Sequence, residues 1–85
     1  MKAPRELTQL GLTQSEANVY YALVKLGPSS ATSIMKKTGM YRANVYKALD
    51  KLTLKGLISD VFHDGRNEYL AAEPLNLYKI LDEKK

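Results

Sequence analysis

The sequence predicts a mainly α-helical domain carrying one small β-hairpin. Three observations lead there. Apolar residues recur at helical spacing in successive segments bounded by capping residues and glycines; β-favouring runs take over after Gly56; and Asp64-Gly65 sits between two such runs. The 85 residues suffice for one domain, residues 1–85. With 45% hydrophobic and 26% charged residues, the balance is that of a globular chain rather than a disordered one.

The elements follow in order. Pro4–Leu10 reads as a short opening helix ended by Gly11. Thr13-Gln14-Ser15-Glu16 fits a capping box, opening a helix to about Leu26 with Gly27 as a left-handed cap and Pro28 as the stop. Ala17, Val19, Tyr20, Tyr21, Leu23, Val24 and Leu26 cover most of its circumference, as expected of a helix packed centrally. Ser30 is the N-cap of a third helix, with Ala31, Ile34, Met35 and Thr38 on one stripe and Gly39 closing it. After a short turn, a fourth helix runs from about Arg42 to Lys55 on an inner stripe of Val45, Ala48, Leu49 and Leu52. That leaves Ala43, Tyr46, Lys47 and Asp50 facing outward. Leu57–Phe62 and Asn67–Ala71 then read as hairpin strands, their register left loose by the weak alternation. Pro74 starts a last helix, about 74–83, whose Leu75, Leu77, Tyr78, Ile80 and Leu81 are apolar.

This is the order of a winged helix-turn-helix with additional N- and C-terminal helices: a helix-turn-helix over about 30–55 and a wing over about 57–72. Charge distribution gives it a function. The chain carries +4, yet Lys36, Lys37, Arg42, Lys47, Lys51 and Lys55 face only Asp50 in their stretch; six minus one is +5, which leaves −1 for the rest. A basic zone on a nearly neutral body fits phosphate-backbone binding, with a solvated helix face as the alternative. In the first reading Arg42, Ala43, Asn44, Tyr46 and Lys47 enter a major groove, arginine suiting guanine, asparagine adenine and Ala43 a thymine methyl. Lys36, Lys37, Lys51 and Lys55 suit phosphates, and Arg66 at the hairpin tip an adjacent minor groove. Alternatives stand beside several of these. Tyr46 could pack over the second-helix surface, Asn44 could serve an intrahelical or capping bond, and Arg66, Lys36 and Lys37 could be plain solvated residues.

Other classes fare worse. Without cysteine there are no disulfides or thiolate metal sites, and the lone His63 leaves no histidine pair for a metal. No nucleophile–base pairing or phosphate-binding glycine loop is present, so neither an enzyme nor a cofactor is expected. No small-molecule ligand can be inferred. No apolar run nears the roughly 20 residues of a membrane span, and Met1-Lys2-Ala3-Pro4 leads into no signal-peptide core, so a soluble cytoplasmic protein is expected. The competing function is a winged-helix protein–protein interaction module in a larger assembly, which would more often show an apolar or mixed outer face.

Leu10-Gly11-Leu12-Thr13 with Glu16-Ala17 and Tyr20, then Leu26-Gly27-Pro28, resembles the opening of TrmB-type transcriptional regulators, which are largely archaeal winged-helix proteins. Thr38-Gly39-Met40-Tyr41-Arg42, Val45-Tyr46 with Leu49 and Leu52, Lys55-Gly56-Leu57, Arg66…Tyr69 and Glu73-Pro74 continue the similarity over roughly residues 7–81. The resemblance implies promoter binding to double-stranded DNA as a homodimer, with Arg42, Ala43, Asn44, Tyr46 and Lys47 in the recognition helix. Tyr41 stands where such proteins usually carry proline or serine, so this helix lacks a standard cap and Tyr41 joins the base-contact set. The sugar-binding effector domain usual after the last helix is missing, which leaves a stand-alone small regulator or a fragment of a longer one; sugar sensing is not carried over. A dimer is expected through the N- and C-terminal helices, with Leu7 and Leu10 offered by the first.

Overall fold

In the computed structural model, residues 3–72 are described, His63 by its backbone alone. Four helices precede a hairpin: α1 (Arg5–Thr8), α2 (Gln14–Leu26), α3 (Ala31–Thr38), α4 (Arg42–Leu54), β1 (Ile58–His63) and β2 (Arg66–Ala71). The helix expected at about 74–83, with its part in a dimer, lies outside the described residues.

A helix of four residues has no stability of its own. What holds α1 is Leu7, 2% exposed in the core, together with the Ala3 amide, which donates to Asn18 Oδ1 at 2.8 Å. Leu7 is therefore not available to a second subunit, contrary to expectation; only half-buried Leu10 is. The capping box of α2 forms as expected. Thr13 Oγ1 accepts from the Glu16 amide at 3.1 Å, and Glu16 Oε1 accepts from the Thr13 amide at 3.2 Å. Ala17, Val19, Tyr20, Ala22 and Leu23 are at most 1% exposed, making α2 the central helix. It is not covered all round: Tyr21 and Val24 are half-buried and Leu26 is open.

Gly27 departs from the left-handed cap. Its φ of 76° is positive, but its ψ of −162° is extended. The reason lies two residues on, where Ser29 forms a backbone bridge with Tyr69, donating at 2.9 Å and accepting at 2.7 Å. The chain must leave α2 straight to reach the hairpin, and a conventional cap would turn it away. Gly39 does adopt the left-handed form, φ 73° and ψ 13°, so a three-residue turn joins α3 to α4.

Asp64 and Gly65 both have positive φ, 51° and 75°, as the favoured two-residue hairpin turn requires. The turn fixes the register that alternation left loose. Ile58 opposes Ala71, Asp60 opposes Tyr69, Phe62 opposes Asn67 and His63 opposes Arg66. Each strand therefore reaches one residue nearer the turn than expected. Ile58, 3% exposed, plants the base of β1 in the core.

Candidate nucleic-acid interface

Tyr41 occupies the cap position of α4 with extended backbone, and no side chain bonds the free amides behind it. Its ring is 82% exposed. Arg42, Ala43, Asn44, Tyr46 and Lys47 are exposed as well, so all six residues expected at bases are open at the start of α4. Opposite them, Val45, Ala48, Leu49 and Leu52 are buried against the body, and Leu49 and Leu52 are at most 1% exposed. Burial on one side and freedom on the other is what lets a helix project into a groove.

The two flanks of α4 differ in charge. Lys47, Lys51 and Lys55 follow at i, i+4 and i+8, which at 100° per residue puts them on the side toward α2. Asn44, Lys47 and Lys51 share a groove of about 320 Å³ with Thr13, Ser15 and Glu16 at the start of α2. Toward the hairpin, Tyr46 and β2 residues Arg66, Asn67 and Tyr69 line a groove of about 540 Å³ with Ser30, Thr32 and Ser33 of the α3 start. Tyr46 is thus partly packed, yet beside α3 and the wing rather than over the second helix. Farther along α4, Asp50, Thr53 and Leu54 face Asp60 and Tyr69 across about 400 Å³. Burial, then the neighbouring Tyr46, Asp60 and Asp50, raise the Tyr69 hydroxyl above its ordinary value. Lysines therefore line one side of α4, and the base of the hairpin is acidic on the other.

The lysines expected at phosphates divide. Lys51 is exposed beside Lys47, while Lys36 and Lys37 are exposed in the last turn of α3, next to the turn into α4. Arg66 flanks the hairpin turn and joins Tyr46 in the wing-side groove. Lys55 is engaged elsewhere. Its Nζ lies 2.7 Å from Glu16 Oε1 and donates to the Gly11 carbonyl at 3.3 Å, tying the end of α4 to the start of α2. Burial would raise the Glu16 carboxyl; the Lys55 hydrogen bond, the Thr13 amide and the charges of Lys55 and Lys51 together hold it below the usual value. Thirty-nine residues separate the partners, and no local pattern announces such a pair. Ser15, Thr32, Ser33 and Asn67 were likewise missed, since small polar residues at helix starts and in strands carry no spacing signal.

TrmBL1 of Pyrococcus furiosus, a sugar-sensing transcriptional regulator of the helix-turn-helix type, is 36% identical over 70 residues, or 82% of this chain and 20% of its own length. YrhO of Bacillus subtilis is 31% identical over 75 residues, covering 86% of this chain and 26% of its own. The likeness therefore extends to a bacterium as well as an archaeon, and the chain spans about a quarter or less of each relative. Among solved structures, TrmBL2, an archaeal chromatin protein described with a novel mode of DNA binding, superposes with a TM-score of 0.69 at 28% identity, over 92% of this chain and 31% of that one. The profile of the family described as sugar-specific transcriptional regulator TrmB matches residues 7–82, most of the chain, and the protein belongs to that family.

Proposed function

We propose that this chain is the double-stranded-DNA-binding unit of a transcriptional regulator, reading sequence with α4 in the major groove and setting its hairpin near the adjacent minor groove. One observation carries the reading: Tyr41, Arg42, Ala43, Asn44, Tyr46 and Lys47 are all open at the start of a helix whose inner stripe is sealed in the core. Arg42 reads guanine with its paired donors, Asn44 reads adenine, and Ala43 meets a thymine methyl. Lys36, Lys37 and Lys51 hold phosphates, and Arg66 reaches the minor groove. Membership of a family of regulators favours this over an interaction module or an enzyme. No helix among the described residues is long and apolar enough to cross a membrane, consistent with work in the cytoplasm. A homodimer, presenting two such helices about one DNA turn apart, completes the proposal.

The test is fluorescence anisotropy of random-sequence duplex DNA, titrated with protein at several salt concentrations. Binding that weakens steeply with salt is expected, and Arg42→Ala weakens it further on selected sequences while the fold persists. No binding even at low salt would sink the reading.

A further inference from the structure

We infer that Phe62 is a DNA-contacting residue of the wing, laying its ring against the sugar edge of the minor groove beside Arg66. The inference rests on the DNA-binding reading above and adds an apolar contact to it. It starts from strand parity. Side chains alternate across a strand, so Phe62 shares a face with Asp60 and Ile58, and across the ladder with Asn67, Tyr69 and Ala71. Ile58 is 3% exposed and Tyr69 lines both wing-side grooves, so this is the face turned toward the helices. Phe62 lies on it yet is 72% exposed. The one phenylalanine of the chain thus stands on the helix-facing side of the hairpin, and among the described residues most of its surface is left uncovered.

The surroundings decide what covers it. Opposite Phe62 stands Asn67, and one cross-strand pair nearer the turn stands Arg66, on the alternate face by parity but still lining, with Asn67, the groove shared with Tyr46. Nearer the base the same face carries Asp60, across from Asp50 of α4. A phosphate strand passing between wing and helix is repelled from the Asp60–Asp50 level and drawn to the level of Phe62, Asn67 and Arg66. There the cation meets the negative potential of the minor groove while the ring covers deoxyribose, a division in which apolar side chains commonly serve minor-groove binders.

The experiment uses the whole chain and random-sequence duplex DNA. Phe62→Ala, at an exposed site, keeps the thermal midpoint and lowers affinity about tenfold, the scale of a lost aromatic contact. Its salt dependence stays parallel to wild type, because no cation is removed, whereas Arg66→Ala flattens the slope by about 0.9. The chain has no tryptophan, so Phe62→Trp gives a single reporter whose emission shifts when DNA covers it. Wild-type binding with unchanged affinity in Phe62→Ala and an unmoved tryptophan signal overturns the inference and leaves the DNA reading intact. A Phe62→Ala protein with wild-type affinity but an altered sedimentation coefficient also overturns it, assigning the ring to a second copy of the chain. Failure of the wild type to bind any duplex would overturn the DNA reading itself.

Discussion

Lys51 and Lys55, the latter at the C-cap of α4, stand one helical turn apart and are indistinguishable by charge or spacing, yet the structure gives them different surroundings. Lys51 is exposed on the groove shared with Asn44 and Lys47, whereas Lys55 is held by Glu16 at 2.7 Å. Replacing each by alanine separates the roles. If Lys51 neutralises one phosphate, its loss flattens the log–log salt slope by about 0.9 and leaves the fold alone. Loss of Lys55 leaves the slope as it was and strikes stability. The Lys55 side chain is 40% exposed, which argues for the modest energy of a surface pair, about 1 kcal/mol or less. Glu16, 7% exposed in its side chain, argues for more, since a buried carboxylate left without its cation costs several kcal/mol. Glu16 keeps the Thr13 amide as a donor, so an intermediate figure of about 1.5 kcal/mol is reasonable. For a domain of this size that lowers the melting temperature by about 6–12 °C. On the proposed reading Lys55 is withdrawn and Arg42 and Lys47 are at bases, so Lys36, Lys37 and Lys51 at phosphates and Arg66 in the minor groove remain to displace counterions. That sets a wild-type slope of about −3.6 per subunit, four cations at about 0.9 each. Salt-titrated anisotropy and thermal melts on the two variants check both quantities. A Lys55→Ala protein that melts like wild type and loses slope as Lys51→Ala does would refute the reasoning.

Two further outcomes are expected. The Glu16 carboxyl is held below its ordinary 4.5, so its contribution is fully present above that pH and is lost as pH falls through the lower folded value. Urea unfolding from pH 7 down to pH 3 should then show a stability loss in wild type that is smaller in Glu16→Gln; equal losses would mean another group governs acid unfolding. Tyr41→Ser places a capping hydroxyl on backbone already extended, φ −71° and ψ 151°. It should stabilise the fold by about 0.5–1 kcal/mol, seen as a raised melting temperature, while weakening DNA binding severalfold by anisotropy. Higher stability with unchanged affinity would remove Tyr41 from the contact surface.

The fold was legible wherever local chemistry acts alone. Thr13 and Glu16, Ser30, Gly39 and Asp64-Gly65 each fix a boundary through bonds within four residues or through a required φ, and a single sequence displays such signals. The inner stripe of α4 was legible for the same reason, because 3.6-residue periodicity is local. What escaped was set by partners far along the chain. The extended ψ at Gly27 answers to Tyr69, 42 positions away. The burial of Leu7 depends on what packs over α1, and the engagement of Lys55 on a carboxylate two helices back. The exposure of Ala43, Tyr46 and Lys47 on α4 was legible in the helical periodicity, but the division of that surface into a lysine-lined side and an acidic hairpin base was not. That division needs the position of Asp60 relative to Asp50, which belongs to the packing of β1 against α4.

The same packing explains how the two elements proposed to face DNA are held to one another. A two-stranded hairpin is marginal by itself. Here its base is fixed by Ile58 in the core, by the Ser29–Tyr69 bridge and by the Ala72 amide donating to the Leu57 carbonyl at 2.8 Å. All three anchors lie toward the base, and among the described residues the ladder itself is what holds the strands beyond Tyr69. Meanwhile α4 is sealed along its inner stripe and tied to α2 by Lys55. A substrate that demands close geometry is best read by the element with the most anchors, and one that varies in width by the element with the fewest. Base edges in a major groove present fixed donors and acceptors; the minor groove varies in width with sequence. The anchoring therefore matches the division of labour proposed for the two elements: α4 sets register and sequence, and the hairpin tip, carrying Arg66 and Phe62, follows the groove it meets.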